Sequence, residues 1–267
     1  MSAEKFFEKI DLLRCPLCGA AFSQSDGSLR CSNRHTFDPS KKGYVHFAPN
    51  VGPSHYDMPL FEARRRILEA GFYGAVIDTI RAAMPKNASV VLDAGCGDGS
   101  FTKALQGQTT VGLDLSADAV RLAARGGGPI LWAIGDVTRL PIRDESVDVI
   151  LNLFSPAHYA EFTRVLKPDG VLLKLVPQEG YLGEIRALLG DRLRRERYSN
   201  DAVVSHLSER LRITDRVRIT YTLPLNAGQA GDFLLMTPLT FGTAPETLDA
   251  SALSKITIDV EILIAKK

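Results

Sequence analysis

The spacing of apolar positions separates a polar, turn-rich beginning from a long region of alternating strands and helices. From residue 89 onward, short apolar runs are divided by stretches with helical spacing. The runs predict strands over residues 89–94, 109–115, 129–136 and 147–153, and a fifth strand after a turn at 167–170. Because strands that alternate with helices are typical of a parallel, doubly wound sheet, the pattern predicts an α/β fold.

The composition of the chain changes before this region. Residues 48–59, APNVGPSHYDMP, contain three prolines, a glycine and few large apolar side chains, which is typical of a linker. We therefore predict a small module over residues 1–47 and a main domain over residues 60–267. The chain has 267 residues, 45% of them hydrophobic, which is sufficient for one full-sized α/β domain beside a small module. We expect the module and the main domain to be supported separately.

Three of the four cysteines lie in the module, in the pattern C-x2-C-x12-C-x3-H formed by Cys15, Cys18, Cys31 and His35. A hairpin with its turn at Asp26-Gly27 would bring the two halves together. Thiolate and imidazole ligands in this spacing suit Zn²⁺. Buried cysteines beside an unrelated histidine are the alternative, which the spacing disfavours. Four protein ligands leave no open coordination position, so the predicted zinc ion is structural.

The N-terminus, MSAEKFFEKI, has neither the apolar core nor the cleavage site of a secretory signal. No apolar run approaches the ~18 residues that a membrane span requires. We therefore expect a cytoplasmic protein without a membrane partner. In that reducing compartment a cysteine cluster binds metal more often than it forms disulfides.

The first predicted strand of the main domain ends in the glycine-rich loop GCGDGSF. Gly95 and Gly97 would let the chain turn sharply and let a ligand approach the backbone. Asp93 and Asp98 would repel a pyrophosphate but suit a cationic ligand without phosphate. S-adenosylmethionine, with an ammonium and a sulfonium group, is such a ligand. A glycine turn that serves only packing is the alternative.

Polar residues follow the later strands at positions where open α/β sheets bind ligands. Asp114 lies about twenty positions after the glycine loop, as do the acidic residues that bind ribose hydroxyls in Rossmann-like folds. Asp136 follows the third strand and could accept a hydrogen bond from an adenine amino group. Asn152 ends the fourth strand, at the same expected edge of the sheet. These residues complete the predicted cofactor site.

The series from Val90 to Val176 resembles the class I S-adenosylmethionine-dependent methyltransferases. The resemblance implies a Rossmann-like fold with a seven-stranded sheet. The cysteine pattern, HTFDPSKKGYVHF, EARRRILEAGFY and FLLMTPLTF together resemble the RlmA family of 23S ribosomal RNA (guanine-N1)-methyltransferases. The family has a zinc-binding module that is thought to help recognise an RNA hairpin. The family's cofactor contacts fall on Tyr73, Phe101, Thr102 and Tyr181.

This sequence departs from the family pattern at two positions. Tyr181 stands where some members have a histidine, and Phe72 stands where we expect a histidine before Tyr73. The segment Asn152-Leu153-Phe154-Ser155-Pro156 also lacks the Asn/Asp-Pro-Pro-Tyr/Phe motif of amino-methylating enzymes. That difference fits a ring nitrogen as the methyl acceptor.

No catalytic residue is assigned from the sequence. Guanine N1 must lose a proton, and its position on the Watson–Crick edge requires an unpaired or flipped base. His158 and Glu161 could remove the proton, although a solvent-facing position on the next helix is the favoured interpretation for both. Phe154 could stack on the base, and Cys96 is interpreted as a packing residue.

A net charge of +1 is not the overall signature of a nucleic-acid-binding protein, so RNA binding would need local basic patches. The candidates are Arg64–Arg66, the group Arg192, Arg194, Arg195 and Arg197, and the module residues Arg14, Arg30, Arg34, Lys41 and Lys42. Solvated helix faces balanced by acidic residues are the alternative. The favoured function is guanine-N1 methylation in a hairpin of large-subunit ribosomal RNA. A small-molecule methyltransferase with an accessory zinc module, a non-catalytic zinc-dependent RNA-binding protein and a homodimeric state stay open.

Overall fold

A computed structural model describes residues 3–48, 56–190, 199–243 and 248–267. Most of the predicted linker and the arginines at 192–197 lie outside these ranges. The helices in the described ranges are α1 (Glu4–Glu8), α2 (Met58–Glu69), α3 (Gly74–Ala83), α4 (Ser100–Ala104), α5 (Ala117–Ala123), α6 (Tyr159–Val165), α7 (Gly183–Leu189), α8 (Asp201–Ser208) and α9 (Ala227–Met236). The strands there are β1 (Phe22–Ser25), β2 (Ser28–Cys31), β3 (Thr36–Phe37), β4 (Tyr44–His46), β5 (Val90–Ala94), β6 (Thr109–Asp114), β7 (Leu131–Ile134), β8 (Val147–Leu153), β9 (Leu166–Pro177), β10 (Arg212–Pro224) and β11 (Lys255–Lys266).

The central sheet has the strand order β10-β11-β9-β8-β5-β6-β7-β4. The strands from β4 to β9 pair in parallel, whereas β11 pairs antiparallel with both β9 and β10. The Rossmann-like α/β prediction is confirmed, and the sheet is mixed rather than wholly parallel. Residues 167–170, where a turn was predicted, fall within the bounds of β9, but they have no partners in β8 because the register shifts there.

The sheet contains one strand more than the predicted seven. The eighth, β4, comes from the N-terminal module and pairs with β7, with Tyr44 opposite Trp132 and His46 opposite Ile134. This pairing gives hydrogen-bond partners to an edge of β7 that would otherwise be unpaired. The prediction of seven strands was incomplete because three residues are too few to give a periodic signal in the sequence.

The predicted hairpin in the module is confirmed. β1 and β2 pair antiparallel, and Ser25 lies opposite Ser28. The two residues between them, Asp26 and Gly27, both have positive φ, at 51° and 78°. A two-residue turn with both φ values positive matches the right-handed twist of the paired strands.

The module and the main domain share a hydrophobic core. Phe6 and Leu13 of the module are buried in the same cluster as Leu140 and Ile142 of the main domain. The ammonium of Lys5 is also buried and donates hydrogen bonds to the carbonyls of Ile130, at 2.6 Å, and Gly128, at 3.2 Å. The expectation of separate supports was therefore wrong, because the small module completes its core on the larger domain.

Helices cover both faces of the sheet. α2, α3, α7 and α9 pack on one face, while α6, α8 and the module pack on the other. Because β5, β6, β7 and β8 run in parallel, the loops that follow them meet at one edge of the sheet. Within the described ranges, no helix is both long and apolar enough to span a bilayer.

Candidate functional site

The four predicted metal ligands come together in the module. Their donor atoms all lie within 4.8 Å of one another. Cys18 Sγ lies 3.7 Å from Cys31 Sγ, and His35 Nδ1 lies 3.4 Å from Cys15 Sγ and 3.5 Å from Cys31 Sγ. Tetrahedral bonds of about 2.3 Å to sulfur and about 2.0 Å to nitrogen require separations of roughly 3.5–3.8 Å. The donor set and its spacing therefore fit a zinc ion.

Local backbone bonds shape this cluster. Gly19, with φ at 73°, closes the first turn by donating to the carbonyl of Cys15 at 2.8 Å. The N–H of Cys31 donates to the carbonyl of His35 at 3.1 Å, which closes the second half. Cys15 and Cys31 are buried, whereas Cys18 is exposed. The cluster thus lies between the shared core and the surface.

The basic residues of the module differ in their surroundings. The guanidinium of Arg14 pairs with Asp144 of the main domain at 2.7 Å, so this ion pair connects the module to the main domain. Arg30 and Arg34 are exposed beside the cluster, on β2 and in the turn that leads to His35. Their guanidinium groups are therefore accessible to a polyanion, and that of Arg14 is engaged.

The glycine-rich loop after β5 packs closely against neighbouring side chains and is hydrogen-bonded to the end of β6. A β-carbon on Gly95 would lie 1.9 Å from the hydroxyl of Ser155, and one on Gly99 would lie 2.5 Å from the ring of Trp132. Close packing therefore requires glycine at both positions. The N–H of Gly97 instead donates to the carboxylate of Asp114 at 2.8 Å, which connects the loop to the end of β6.

Asp93 is a buried carboxylate with an unused oxygen. The hydroxyl of Thr102 donates to its Oδ2 at 2.6 Å, while Oδ1 has no hydrogen-bond partner among the described residues. Burial raises the pKa of Asp93 to about 7, and the neighbouring carboxylates of Asp114 and Asp98 add to the rise. A buried acceptor without a donor is costly, so this oxygen fits a site for a cationic group.

The other predicted acidic residues differ in their availability. Asp114 accepts hydrogen bonds from the N–H groups of Gly97 and Ser116, both at 2.8 Å. Asp136, after β7, accepts from the N–H of Thr138 at 2.8 Å. Asp98 is paired with Arg65 at 3.3 Å and is buried. Its charge is therefore compensated within the protein by Arg65.

Four aromatic side chains from separate parts of the chain form one cluster beside this loop. The hydroxyls of Tyr73 and Tyr181 lie 2.6 Å apart. Phe154 stacks on Tyr181 with ring centroids 5.4 Å apart, and its ring meets that of Tyr73 edge-on at 6.0 Å. Phe101 contacts Tyr73 at 5.8 Å. The structure thus brings together the three aromatic residues that the resemblance implied and adds Phe154.

Asn152 and a buried lysine fix the loop that carries Phe154. The amide nitrogen of Asn152 donates to the carbonyls of Ala94, at 2.9 Å, and Pro156, at 3.0 Å, while its oxygen accepts from Lys174 at 2.6 Å. Burial lowers the pKa of Lys174 to about 8. Lys174 was not among the residues predicted from the sequence, although a lysine inside the apolar run VLLKLV is an unusual signal.

His158 and Glu161 take part in local structure. His158 Nδ1 accepts a hydrogen bond from the N–H of Glu161 at 3.3 Å, at the start of α6. The carboxylate of Glu161 accepts from the N–H of Leu140 at 2.7 Å and from Arg164 at 2.6 Å. The Glu161 side chain is only 14% exposed, so the favoured solvent-facing position is wrong for this residue.

The arginine triplet of α2 does not form one basic surface. Arg65 pairs with Asp98 and also donates to the carbonyl of Leu122 at 3.0 Å. Arg66 makes two hydrogen bonds to Asp232, at 2.6 and 2.9 Å. Arg64 is directed towards the glycine-rich loop, 3.7 Å from the position of a β-carbon on Gly97. Successive helix positions face different directions, so the three charges have three different environments.

Comparisons with known proteins match both parts of the chain. The family profile described as "RlmA, N-terminal" matches residues 13–51, and that of a "Methyltransferase domain" matches residues 92–173. The Bacillus subtilis (strain 168) protein named "Putative 23S rRNA (guanine-N(1)-)-methyltransferase YxjB" is 38% identical over 96% of this chain and 97% of its own length. A Streptomyces fradiae protein named "23S rRNA (guanine(748)-N(1))-methyltransferase" is 30% identical over 95% of this chain and 96% of its own.

A solved structure supports the fold assignment. The structure is a complex between the Haloferax volcanii Trm112 methyltransferase activator and a methyltransferase. One of its chains superposes with a TM-score of 0.51 and 20% identity, over 76% of this chain and 92% of that chain. At this level of identity the likeness shows the fold alone.

Proposed function

The chain belongs to the RlmA family of 23S rRNA (guanine-N1)-methyltransferases, and from that membership we propose that it methylates N1 of a guanine in a hairpin of large-subunit ribosomal RNA. The observation that carries the proposal is the end-to-end likeness, which includes both the zinc module and the methyltransferase domain. Likeness to the methyltransferase domain alone would not define the methyl acceptor, because the same fold serves many acceptors.

S-adenosylmethionine supplies the methyl group as an electrophilic carbon on its sulfonium. We propose that the unused oxygen of Asp93 binds the ammonium group and that Asp114 binds the ribose hydroxyls. Gly95 and Gly97 allow the backbone to approach the cofactor, and Asp136 accepts from the adenine amino group. Thr102 acts through its hydrogen bond to Asp93, and Asn152 acts through the loop that it fixes.

The aromatic cluster provides the surroundings for the reacting groups in this proposal. Tyr73, Phe101 and Tyr181 lie together in this cluster, and the electron-rich face of an aromatic ring attracts a sulfonium cation. Phe154 is 36% exposed and has φ at 55°, a left-handed conformation that a residue with a β-carbon adopts at a cost of about 1–2 kcal/mol. We propose that the ring stacks on the flipped guanine and aligns N1 with the methyl carbon.

The zinc module has a binding role in this proposal. Its four ligands would fill the tetrahedral positions of a zinc ion, which would stabilise the fold of the module and leave no position for a reactant. The exposed Arg30 and Arg34 then contact RNA phosphates. A ribosomal RNA substrate implies activity in the cytoplasm, and a homodimer stays a prediction for measurement in solution.

Transfer of tritium from labelled S-adenosylmethionine tests this function. The acceptors are a ribosomal RNA hairpin fragment and a panel of small metabolites, and mass mapping then locates the modified nucleotide. We expect label at guanine N1 of the RNA alone. Label in metabolites alone would favour a small-molecule methyltransferase. Cofactor binding without any transfer would favour a non-catalytic RNA-binding protein.

A further inference from the structure

Arg64 lies on the side of α2 that faces the protein interior. The helix begins where Asp57 accepts a hydrogen bond from the N–H of Leu60 at 3.2 Å. Leu60, Ile67 and Leu68 are buried, and each is three or four positions from Arg64 along the helix. Helical spacing therefore places this guanidinium on the apolar face, and its exposure is intermediate.

Arg64 differs from Arg65 and Arg66 in its ionic contacts. Among the described residues, no carboxylate lies within ion-pair distance of its guanidinium, whereas Arg65 and Arg66 each pair with an aspartate. Its hydrogen bond in the described structure goes to the carbonyl of Met236 at 3.2 Å, and the ring of Phe61 lies 5.8 Å away. A half-buried guanidinium with so few acceptors retains donors for a further anionic group.

The position of Arg64 places it in the candidate cofactor site. It lies beside Gly97, as its distance from a β-carbon there shows. Burial raises the pKa values of Tyr73, Tyr181 and Asp114, and the charge of Arg64 opposes the rise in all three. The guanidinium of Arg64 thus acts on three groups from three different segments of the chain.

The chemistry of the cofactor requires such a cation. The methionine part of S-adenosylmethionine carries a carboxylate next to its ammonium group. Asp93 and Asp114 both carry negative charge when ionised, and they would repel that carboxylate. Other basic groups near the loop are engaged elsewhere. Arg65 pairs with Asp98, the ammonium of Lys103 lies 5.8 Å from the centre of the Trp132 ring, and Lys174 donates to Asn152.

We infer that Arg64 binds the α-carboxylate of S-adenosylmethionine. The inference rests on the proposed placement of the cofactor along the glycine-rich loop and is independent of the RNA acceptor. Asp93 then takes the ammonium group and Arg64 takes the carboxylate, so opposite charges of the protein receive the two ends of the zwitterion. An arginine fork suits a carboxylate because it can donate two parallel hydrogen bonds.

Calorimetry with two ligands that differ only in this carboxylate tests the inference. The ligands are S-adenosylmethionine and decarboxylated S-adenosylmethionine, and the full-length protein is used without RNA. We expect the wild-type protein to bind the decarboxylated compound roughly 10- to 100-fold more weakly, the range for a charge-assisted hydrogen bond. Arg64→Met should bind the two compounds with affinities within about twofold of each other.

Two further variants control for folding and for charge. Arg66→Met, on the same helix but paired with Asp232 at the surface, should keep the full preference for the carboxylate. Arg64→Lys keeps the positive charge and should retain part of that preference, and it also serves as the test if Arg64→Met does not fold. A wild-type protein that binds both compounds equally, or Arg64 variants with undiminished preference, would overturn the inference. Failure of wild type to bind either compound would overturn the cofactor site itself.

Discussion

The zinc cluster draws all four ligands from residues 15–35, whereas the candidate cofactor site draws its groups from α2, β5, β6, the loop after β8 and the segment before α7. The first site is built by one hairpin and two tight turns. The second exists only when the sheet has placed distant segments side by side. A local site can be identified from spacing, and a distributed site has to be located through the fold.

The two sites also differ in whether their charged and polar groups have partners. The four zinc ligands would complete the tetrahedral coordination of one ion. The cofactor site instead contains a carboxylate oxygen without a partner, at Asp93, and an arginine without an acidic partner among the described residues, at Arg64. We therefore expect the first site to stabilise the fold, whereas the second keeps unsatisfied groups that a ligand can use.

Removal of a zinc ligand should have the largest effect and tests whether the two regions are independent. Cys18→Ala should abolish stoichiometric zinc binding and unfold most of residues 3–47, because structural zinc contributes on the order of 10 kcal/mol in small zinc domains. The thermal midpoint of the main domain should also fall, since the module contributes β4 and part of the shared core. Elemental analysis and hydrogen exchange measure the two effects.

Cys96→Ala is the matched control for this variant. Cys96 is a buried cysteine that lies outside the metal cluster, so its replacement should leave the zinc content unchanged. Full zinc occupancy in Cys18→Ala would contradict the assigned ligand set. An unchanged midpoint for the main domain would show that the shared core contributes little to its stability.

Asp93→Asn tests the cofactor site, in which a carboxylate oxygen lacks a partner among the described residues. Replacement of the carboxylate by a neutral amide should weaken S-adenosylmethionine binding by about 10- to 100-fold, the range for hydrogen bonds to charged groups. Calorimetry gives the affinity, and circular dichroism verifies the fold. Glu145→Gln removes an exposed acidic group elsewhere on the main domain. It is the control and should bind the cofactor normally. Equal affinities in Asp93→Asn and wild type would place the ammonium group elsewhere.

The raised pKa of Asp93 predicts how pH acts on the same site. Its folded value of about 7 lies above the ordinary value of 3.8, so the ligand-free folded protein binds more protons than the unfolded chain between these limits. The contribution of Asp93 to the free energy of unfolding should therefore decrease as pH rises from about 4 to about 7. Cofactor affinity should increase as pH rises from about 6 to about 7, because the ionised carboxylate binds the ammonium group. Asp93→Asn should lose both dependences.

Asp114→Ala should have a smaller effect on the cofactor, of about tenfold in affinity. Asp114 is partly satisfied by two backbone N–H groups, so its remaining capacity for ribose hydroxyls is less than that of a free carboxylate. Calorimetry with S-adenosylmethionine and with methionine alone would separate the two parts of the ligand. Only the affinity for the ribose-containing compound should fall, and an equal loss for both compounds would indicate a general disturbance of the loop.

Reversal of charge on the module should have the smallest effect. It tests whether the module binds RNA while the main domain carries out the reaction. Arg30→Glu with Arg34→Glu should raise the Michaelis constant for RNA and reduce its salt dependence, because fewer counterions are released. The rate at saturating RNA and the cofactor affinity should change little. Arg81→Glu, an exposed change on α3, is the control. Wild-type RNA affinity in the double variant would assign the module a structural role alone.

Sequence spacing was sufficient to predict the metal ligands, the hairpin at Asp26-Gly27 and the acidic residues at the ends of β5, β6 and β7. Each of these features depends on neighbours within a few residues or on a regular alternation of strands and helices. The sequence left open whether Arg64–Arg66 forms a basic patch or a balanced helix face, and it did not reveal a partner for Asp98. Both depend on contacts between residues distant along the chain, Arg65 with Asp98 and Arg66 with Asp232.

The sequence by itself thus determined the closed zinc site and the α/β order of the main domain, because local geometry and periodicity are encoded in adjacent residues. Tertiary structure alone decided that β4 joins the main sheet, that Lys174 fixes the loop of Phe154, and that Arg64 remains without an acidic partner among the described residues. These outcomes depend on which charges and strand edges meet after folding. Pairing between segments that are far apart in sequence leaves no periodic signal in either segment, so only the folded arrangement identifies the groups still available to a ligand.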